Sequence, residues 1–382
     1  MDLEPTDTQV QIRDVARRFA REQLAPKARQ RDRESLFPEA ELRALGELGL
    51  LGINVPEALG GAAAGSLAYA LAIAELAEAC AATTVAVAVT NMVAELIVHF
   101  GTEAQQRAYV TALTSGRAVA GAFALSETHC GSDAAALATT ASRVPETSGG
   151  GFVLDGEKQW ITSGDRAGVL IVFARTGGPG PKGVSAFLVE RDTPGMTAGK
   201  PEQKTGLRGS STVPLSFESC RIPAAALLGT EGEGFKIAMT GLDGGRIGVS
   251  AQAIGVLRAC LAASLRYAKQ RRAFGHAIAE FQAIQWKLAD MATDLAAAEL
   301  LCARAAALKD QGRPFSREAS MSKVFCADAV NRHALEAVQI HGGYGYIDEF
   351  PVERYLRDAR VQTLYEGTSE IQRRVIAREI LK

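Results

Sequence analysis

Excess charge of either sign is missing from this 382-residue sequence: 42 Lys plus Arg against 43 Asp plus Glu give 42 − 43 = −1 with His neutral. A dedicated nucleic-acid or anionic-membrane binder needs a net or clustered basic surface, so neither partner is expected. No C-x-x-C spacing occurs among Cys80, Cys130, Cys220, Cys260, Cys302 and Cys326, which argues against a disulfide framework or a thiolate zinc site. The five histidines are equally scattered, and no metal centre is expected. The most apolar run, residues 78–95, is rich in Ala and Thr and falls short of the roughly 20 residues that span a bilayer, so it reads as a buried helix. Met1 is followed by acidic and polar residues rather than a secretory signal, which makes the cytoplasm the expected compartment. A hydrophobic content of 47% with 22% charged residues rules out disorder as the main state, and the length suits two or three domains.

What is present divides into three parts. Up to residue 118 the chain reads as helices: Val10, Ile12, Val15 and Phe19 share one apolar face, Leu42, Leu45 and Leu48 another, and the Ala-rich run over 66–98 supplies long buried helices. From 119 to 229 Gly, Thr, Ser and Pro punctuate short β-branched and aromatic runs such as 168–174 and 184–189. No helix-length segment separates those strands, so a small antiparallel barrel or sandwich is expected. From 230 to 382 helical periodicity returns. Phe281, Ile284, Leu288, Met291, Leu295, Ala298, Cys302, Ala305 and Leu308 recur at spacings of three and four, the seam of a bundle helix. The expected class is α+β, mainly α, with domains at 1–118, 119–229 and 230–382.

Familiar catalytic signatures are missing too: no G-x-S-x-G, P-loop, H-E-x-x-H or G-x-G-x-x-G. Ser126, His129 and Asp133 fall in one short loop, whereas a hydrolytic triad is assembled from distant segments. That loop still offers hydroxyls and free N–H groups suited to a polar ring edge or a phosphate, or else forms a plain capped turn. Trp160-Ile161-Thr162 is similarly ambiguous, because a Trp at a strand end can simply close a barrel.

Seven stretches in fixed order carry more. They are Leu125-Ser126-Glu127, Gly131-Ser132-Asp133, Trp160-Ile161-Thr162, Asp243 to Arg246, Arg271-x-x-Phe274-Gly275, Gln339-Ile340-His341-Gly342-Gly343-Tyr344-Gly345, and Tyr365-Glu366-Gly367-Thr368-Ser369-Glu370-Ile371-Gln372-Arg373. On these residues the chain resembles the acyl-CoA dehydrogenase family over essentially its full length, and from Gly241 onward it is most similar to the short-chain and butyryl type. The resemblance implies an FAD flavoprotein with an N-terminal helical domain, a middle β domain and a C-terminal four-helix bundle, usually a homotetramer arranged as a dimer of dimers.

It also implies residue roles. Dehydrogenating an acyl thioester needs a base for the α-proton while the β-hydrogen leaves as hydride to flavin N5. The family places the base on Glu366, with the thioester oxygen held by the N–H of that residue and a flavin ribityl hydroxyl. Leu125, Ser126, Gly131, Ser132, Trp160, Ile161 and Thr162 fall to the flavin ring. Arg271, Phe274 and Gln282 fall to the pyrophosphate and adenosine half, often across a subunit interface, with Gln339, Gly342, Gly343, Thr368 and Glu370 near the same cofactor. Ser132, Asp243, Arg246 and Gly367 match thioester-contacting positions. Each has a structural alternative: Glu366 as a helix-start acid, Arg271 as a basic helix end, Arg246 as a salt bridge within the bundle, and Gln339 with its glycines as a helix stop.

Isovaleryl-type relatives carry their catalytic Glu directly before the Arg equivalent to Arg246, and here that position is Gly245, leaving Glu366 as the motif-matched base. Thr128, His129 and Cys130 depart from the usual loop, with Cys130 read as an inert core residue and His129 as solvent-facing. The expected activity is dehydrogenation of a short-chain acyl-CoA to the trans-2-enoyl thioester, with electrons passed to an electron-transferring flavoprotein. An acyl-carrier-protein thioester as substrate, a flavin oxidase or monooxygenase, and a scaffold-type nucleic-acid or partner-binding protein are the alternatives. The intact Tyr365-Glu366-Gly367 weighs against the oxidase, and the end of the chain at Lys382, without a basic extension, against the scaffold.

Overall fold

A computed structural model describes residues 4–382. The N-terminal region comprises α1 (Asp7–Phe19), α2 (Ala28–Glu34), α3 (Glu39–Glu47) and the long α4 (Gly65–Phe100), followed by short α5 (Glu103–Gln105) and α6 (Thr111–Thr114). A capping box between Thr6 and Gln9 opens α1. The orphan N–H groups at the start of α4 are met from far along the chain: Ser66 and Leu67 donate to the Asp310 carboxylate at 2.6 and 3.1 Å. Leu42 and Leu45 are buried as their spacing predicts, but Leu48 is 45% exposed, because α3 ends at Glu47 and Leu48 sits on its cap.

Eight strands form the middle sheet: β1 (Gly121–Ala124), β2 (Thr140–Arg143), β3 (Phe152–Thr162), β4 (Val169–Arg175), β5 (Val184–Glu190), β6 (Met196–Ala198), β7 (Thr212–Ile222) and β8 (Leu227–Leu228). The order is β6-β7-β3-β2-β4-β5-β8, with β1 also on β4. Most pairings are antiparallel, but β4 takes β1 and the first residue of β2, Thr140, as parallel neighbours, so the sheet is mixed. The run Val169-Leu170-Ile171-Val172-Phe173-Ala174 is buried throughout, as a central strand covered on both faces requires.

The C-terminal region holds α7 (Gly234–Gln270), the small β9 (Arg272–Ala273) and β10 (His276–Ala277) hairpin, α8 (Gln282–Asp310), α9 (Ser316–His341), α10 (Val352–Ala359) and α11 (Ser369–Ile380). Helices α7, α8, α9 and α11 form the bundle, and α4 packs along α7. Met291, Ala298, Cys302, Ala305 and Leu308 on the predicted seam are buried. Helices α4 and α7 are long and apolar enough to cross a membrane by length and composition alone, yet 83% of the most apolar window of each is buried inside the molecule. That burial identifies them as core helices.

Candidate active site

A cavity of about 1370 Å³ opens where the sheet, α4, α7 and the turn before α11 meet. The sheet contributes Leu125 and Ser126 after β1, Gly131 and Ser132 in the following loop, and Trp160, Ile161 and Thr162 at the end of β3. Asp243 and Arg246 come from α7, and Glu366, Gly367 and Thr368 from the turn. Trp160 has φ 64° beside a register shift in β3, and its ring is 60% exposed on the cavity lining. A bulge of this kind re-aims a side chain out of the strand's alternation.

Glu366 occupies a left-handed turn, with φ 51°, followed by Gly367 at φ 87°. A Cβ on Gly367 would come within 2.6 Å of Gln372 Nε2, so conformation and space both call for glycine. Thr368 is the N-cap of α11 and accepts from the Ile371 N–H. The Glu366 Oε2 atom is buried and has no hydrogen-bond partner. Burial pushes its pKa up to about 7, against the opposing pull of Lys323 and Arg246. A buried, unpartnered carboxylate facing a cavity with its pKa near neutrality has the properties of a general base.

Arg246 is 4% exposed and paired to Asp243, which also accepts from the Ser316 hydroxyl at 3.0 Å, while Arg246 Nε lacks a partner. The salt-bridge reading of Arg246 therefore holds, and the free Nε adds a donor beside the cavity. Gln252 and Tyr365 on the cavity lining belong to a polar network of which the motifs mark Tyr365 alone. Gln252 donates to the Ala81 carbonyl at 2.8 Å, Gln362 donates to Gln252 Oε1 at 3.0 Å, and the Tyr365 hydroxyl bonds the same oxygen.

Beneath the loop that follows β1 lies a buried ion pair. Lys158 Nζ stands 2.7 Å from Glu127 Oε1 and 3.3 Å from the Leu125 carbonyl, and Glu127 also accepts the N–H groups of Ala138 and Thr139. Burial alone would raise the Glu127 pKa, but the Lys158 ammonium and these N–H groups bring it below the ordinary value. Ligand atoms of Glu127, His129 and Cys130 lie within 4.8 Å of one another, yet the Glu127 oxygens are already occupied by a cation and two amides. Cys130 is buried at 3% exposure and the His129 side chain faces solvent at 55%.

A second group of predicted residues stands outside the cavity lining. Arg271 lies 5.8 Å from the Tyr344 ring, which joins the β9–β10 hairpin to the Gly342–Tyr346 turn. Phe274 is 93% exposed, and Arg271, Gln282, Gln339, Gly342 and Gly343 are exposed as well. Glu370 is exposed on the first turn of α11. A single chain thus brings Leu125, Ser126, Trp160 and Thr162 together with Glu366 around one cavity and leaves the Arg271 group on an outer face.

The cavity fits an isoalloxazine: it offers the flat face of Trp160, the hydroxyls of Ser126 and Thr162, and an orphaned carboxylate to confront a substrate. Its size exceeds the roughly 300–1,000 Å³ of ordinary ligand pockets, as a site shared by a flavin and a thioester requires. Fold and site together define an FAD-dependent oxidoreductase acting on acyl thioesters. Models of the acyl-CoA dehydrogenase N-terminal, middle and C-terminal domains match residues 6–117, 122–220 and 232–381. The chain belongs to the acyl-CoA dehydrogenase family. It is 48% identical over 382 residues to the mitochondrial short-chain specific acyl-CoA dehydrogenase of Mus musculus, covering all of this chain and 92% of that protein. Among solved structures, butyryl-CoA dehydrogenase from Megasphaera elsdenii aligns with a TM-score of 0.97 at 40% identity over the whole of both chains. A chain solved in work on the electron transferring flavoprotein of Acidaminococcus fermentans and flavin-based electron bifurcation gives 0.97 at 42% identity, again over both whole chains.

Sequence reasoning missed Lys158, Gln252 and Lys323. The available signal was polarity on an apolar face: Lys158 and Lys323 are 1% and 0% exposed at positions where strand alternation and helix periodicity call for apolar residues.

Proposed function

We propose that the chain converts a short-chain acyl-CoA to the trans-2-enoyl thioester, with Glu366 as the base that removes the α-proton, and passes electrons to an electron-transferring flavoprotein. The observation that carries this reading is the Glu366 carboxylate, whose buried Oε2 has no partner, on the lining of the cavity that Trp160 and Thr162 also line. FAD, held by the residues lining the cavity, would supply the oxidising power, as a hydride acceptor for the β-hydrogen.

The protein's own part is alignment and proton transfer. Ser126, Thr162 and Trp160 hold the ring, helped by Leu125, Ile161, Gly131 and Ser132. Ser132, Asp243, Arg246 and Gly367 flank the thioester, and the Glu366 N–H donates to its carbonyl oxygen, which lowers the cost of the developing enolate. The proton then rests on a Glu366 carboxyl that burial has already made basic. Preference for a short chain is supported by the Gln252, Gln362 and Tyr365 network: a long alkyl tail would have to displace paired buried amides.

Arg271, Phe274, Gln282, Gln339, Gly342 and Gly343 act on the pyrophosphate and adenosine half of FAD held by a neighbouring subunit, with Thr368 and Glu370 nearby. Their exposed position supports this, as do the 87% exposed Tyr346 and 63% exposed Trp286, apolar surface of the kind a subunit contact covers. The assembly is then a homotetramer in the cytoplasm, with domain limits at 1–118, 119–229 and 230–382.

Anaerobic bleaching of the holoenzyme by thioesters of graded length, branching and carrier tests the proposal. Butyryl-CoA should bleach the flavin fastest, and Glu366→Gln should keep FAD yet stay yellow. A Glu366→Gln variant that bleaches at most of the parent rate removes Glu366 from the chemistry, and faster reduction by a carrier-protein thioester replaces CoA as the carrier.

A further inference from the structure

The turn that presents Glu366 is backbone under constraint, since a non-glycine residue at φ 51° costs of order 1–3 kcal/mol unless its surroundings hold it. Two buried side chains hold it by the carbonyls. Lys323 on α9 donates its ammonium to the Gly367 carbonyl at 2.7 Å. Gln372 on α11 donates to the carbonyls of Glu366 at 3.1 Å and Gly367 at 2.9 Å. Both side chains are 0% exposed, so these bonds are made without competing water.

A neutral donor would be enough to tie down a carbonyl, and Gln372 is one. Burying an ammonium instead costs several kcal/mol unless its charge is compensated, and among the described residues Gly367 is the one hydrogen-bond acceptor of Lys323. The compensating charge is the neighbouring Glu366 carboxylate, which raises the Lys323 pKa against the stronger lowering by burial.

We propose that Lys323 is a positioning residue for the base: its ammonium fixes the left-handed Glu366–Gly367 turn through the Gly367 carbonyl and sets a cation beside the Glu366 carboxylate. The inference rests on the reading of Glu366 as the base.

Other groups bear on the same carboxylate. Arg246 from α7 supplies a second cation, itself neutralised by Asp243 and within reach of Arg378. Tyr365 and Tyr69 have pKa values pushed well up, first by burial and then by the Glu366 carboxylate, and Glu95 also acts on Tyr69. Asp328 and Glu370 act on Lys323 from the outer side. Arg246 is paired to Asp243, whereas the hydrogen bond of Lys323 goes to a neutral carbonyl, and Lys323 exerts the larger of the two pulls on Glu366.

The test is the pH profile of single-turnover anaerobic flavin reduction by butyryl-CoA, measured on holoenzyme for the parent, Lys323→Met, Lys323→Gln, Gln372→Leu and Glu366→Gln. Lys323→Met should keep its FAD while the rising limb of the profile moves upward by about one pH unit or more, a slowing of about fivefold at pH 7. Lys323→Gln, polar and neutral, should show the same displacement and serves should the Met variant not fold. Gln372→Leu should lower the plateau and leave the limb in place. An unmoved limb in a folded Lys323 variant, whether the rate is unchanged or lowered equally at every pH, overturns the inference. If Glu366→Gln still reduces its flavin, the base assignment fails; if it is dead while the Lys323 variants match the parent, the Lys323 assignment fails alone.

Discussion

A Cβ atom added to Gly245 would lie 2.1 Å from Glu366 Oε2 and 3.2 Å from the Met92 sulfur. The absence of a side chain on one turn of α7 is therefore the space in which the carboxylate stands. Gly245→Ala should leave the fold and bound FAD intact, since alanine is the better helix former, but it must displace the carboxylate by an ångström or more. Flavin reduction by butyryl-CoA should slow by about 10²-fold, the usual cost of such a displacement. Stopped-flow bleaching of dialysed holoenzyme measures it, and a rate within a factor of two of the parent would mean the carboxylate acts from elsewhere.

With the Glu366 pKa pushed up to about 7, reduction should rise with pH through that value, because the ionised form accepts the proton. Stability should run the other way. The folded state holds the Glu366 proton more tightly than the unfolded chain, so its contribution falls as pH rises from about 4.5 through 7 and stays low above. Glu366→Gln, neutral throughout, should therefore melt higher than the parent at pH 8 and lose that advantage near pH 4. Thermal melts of both proteins across this range decide it; parallel curves would mean that the carboxylate is not desolvated.

Lys158→Met leaves the Glu127 carboxylate buried with its cation gone, at a cost of about 3–5 kcal/mol. The double variant Glu127→Gln/Lys158→Met should recover part of that loss. Chemical denaturation of the single and double variants reports the coupling, and FAD content reports whether the Leu125–Ser126 loop has shifted with it.

Arg271→Ala should weaken FAD retention more than thioester binding, because Arg271 stands apart from the cavity that the thioester enters. Flavin content after dialysis and thioester affinity of the reconstituted protein separate the two effects. Unchanged flavin content would return Arg271 to the role of a basic helix end.

Local periodicity made the three-part architecture legible, because helix seams and short strands are written in neighbouring residues. Of the seam expected from Phe281 to Leu308, Met291, Ala298, Cys302, Ala305 and Leu308 are buried, while Phe281, Ile284, Leu288 and Leu295 are half-buried against the core. The parallel pairing of β1 with β4 was not legible, since it joins Gly121 to Val169 across intervening strands and depends on which edge the chain returns to. Within the site, motif order singled out Glu366 and the ring-side residues. Lys323 was hidden because α9 reads as a plain amphipathic helix until the turn after Tyr365 is folded onto it. The Gln252 network was hidden for the same reason: its partners Gln362 and Tyr365 lie more than 100 residues away.

The packing of α4 on α7 has a consequence for biosynthesis. Residues 101–270 must be translated before α7 is complete, roughly 10–30 s of elongation at about 5–20 residues per second. For that interval a 36-residue apolar rod leaves the ribosome without its principal cover. A holding chaperone should therefore be needed at this stage, and ribosome-bound chains truncated near residue 230 should be far more prone to aggregate than chains that extend past Gln270.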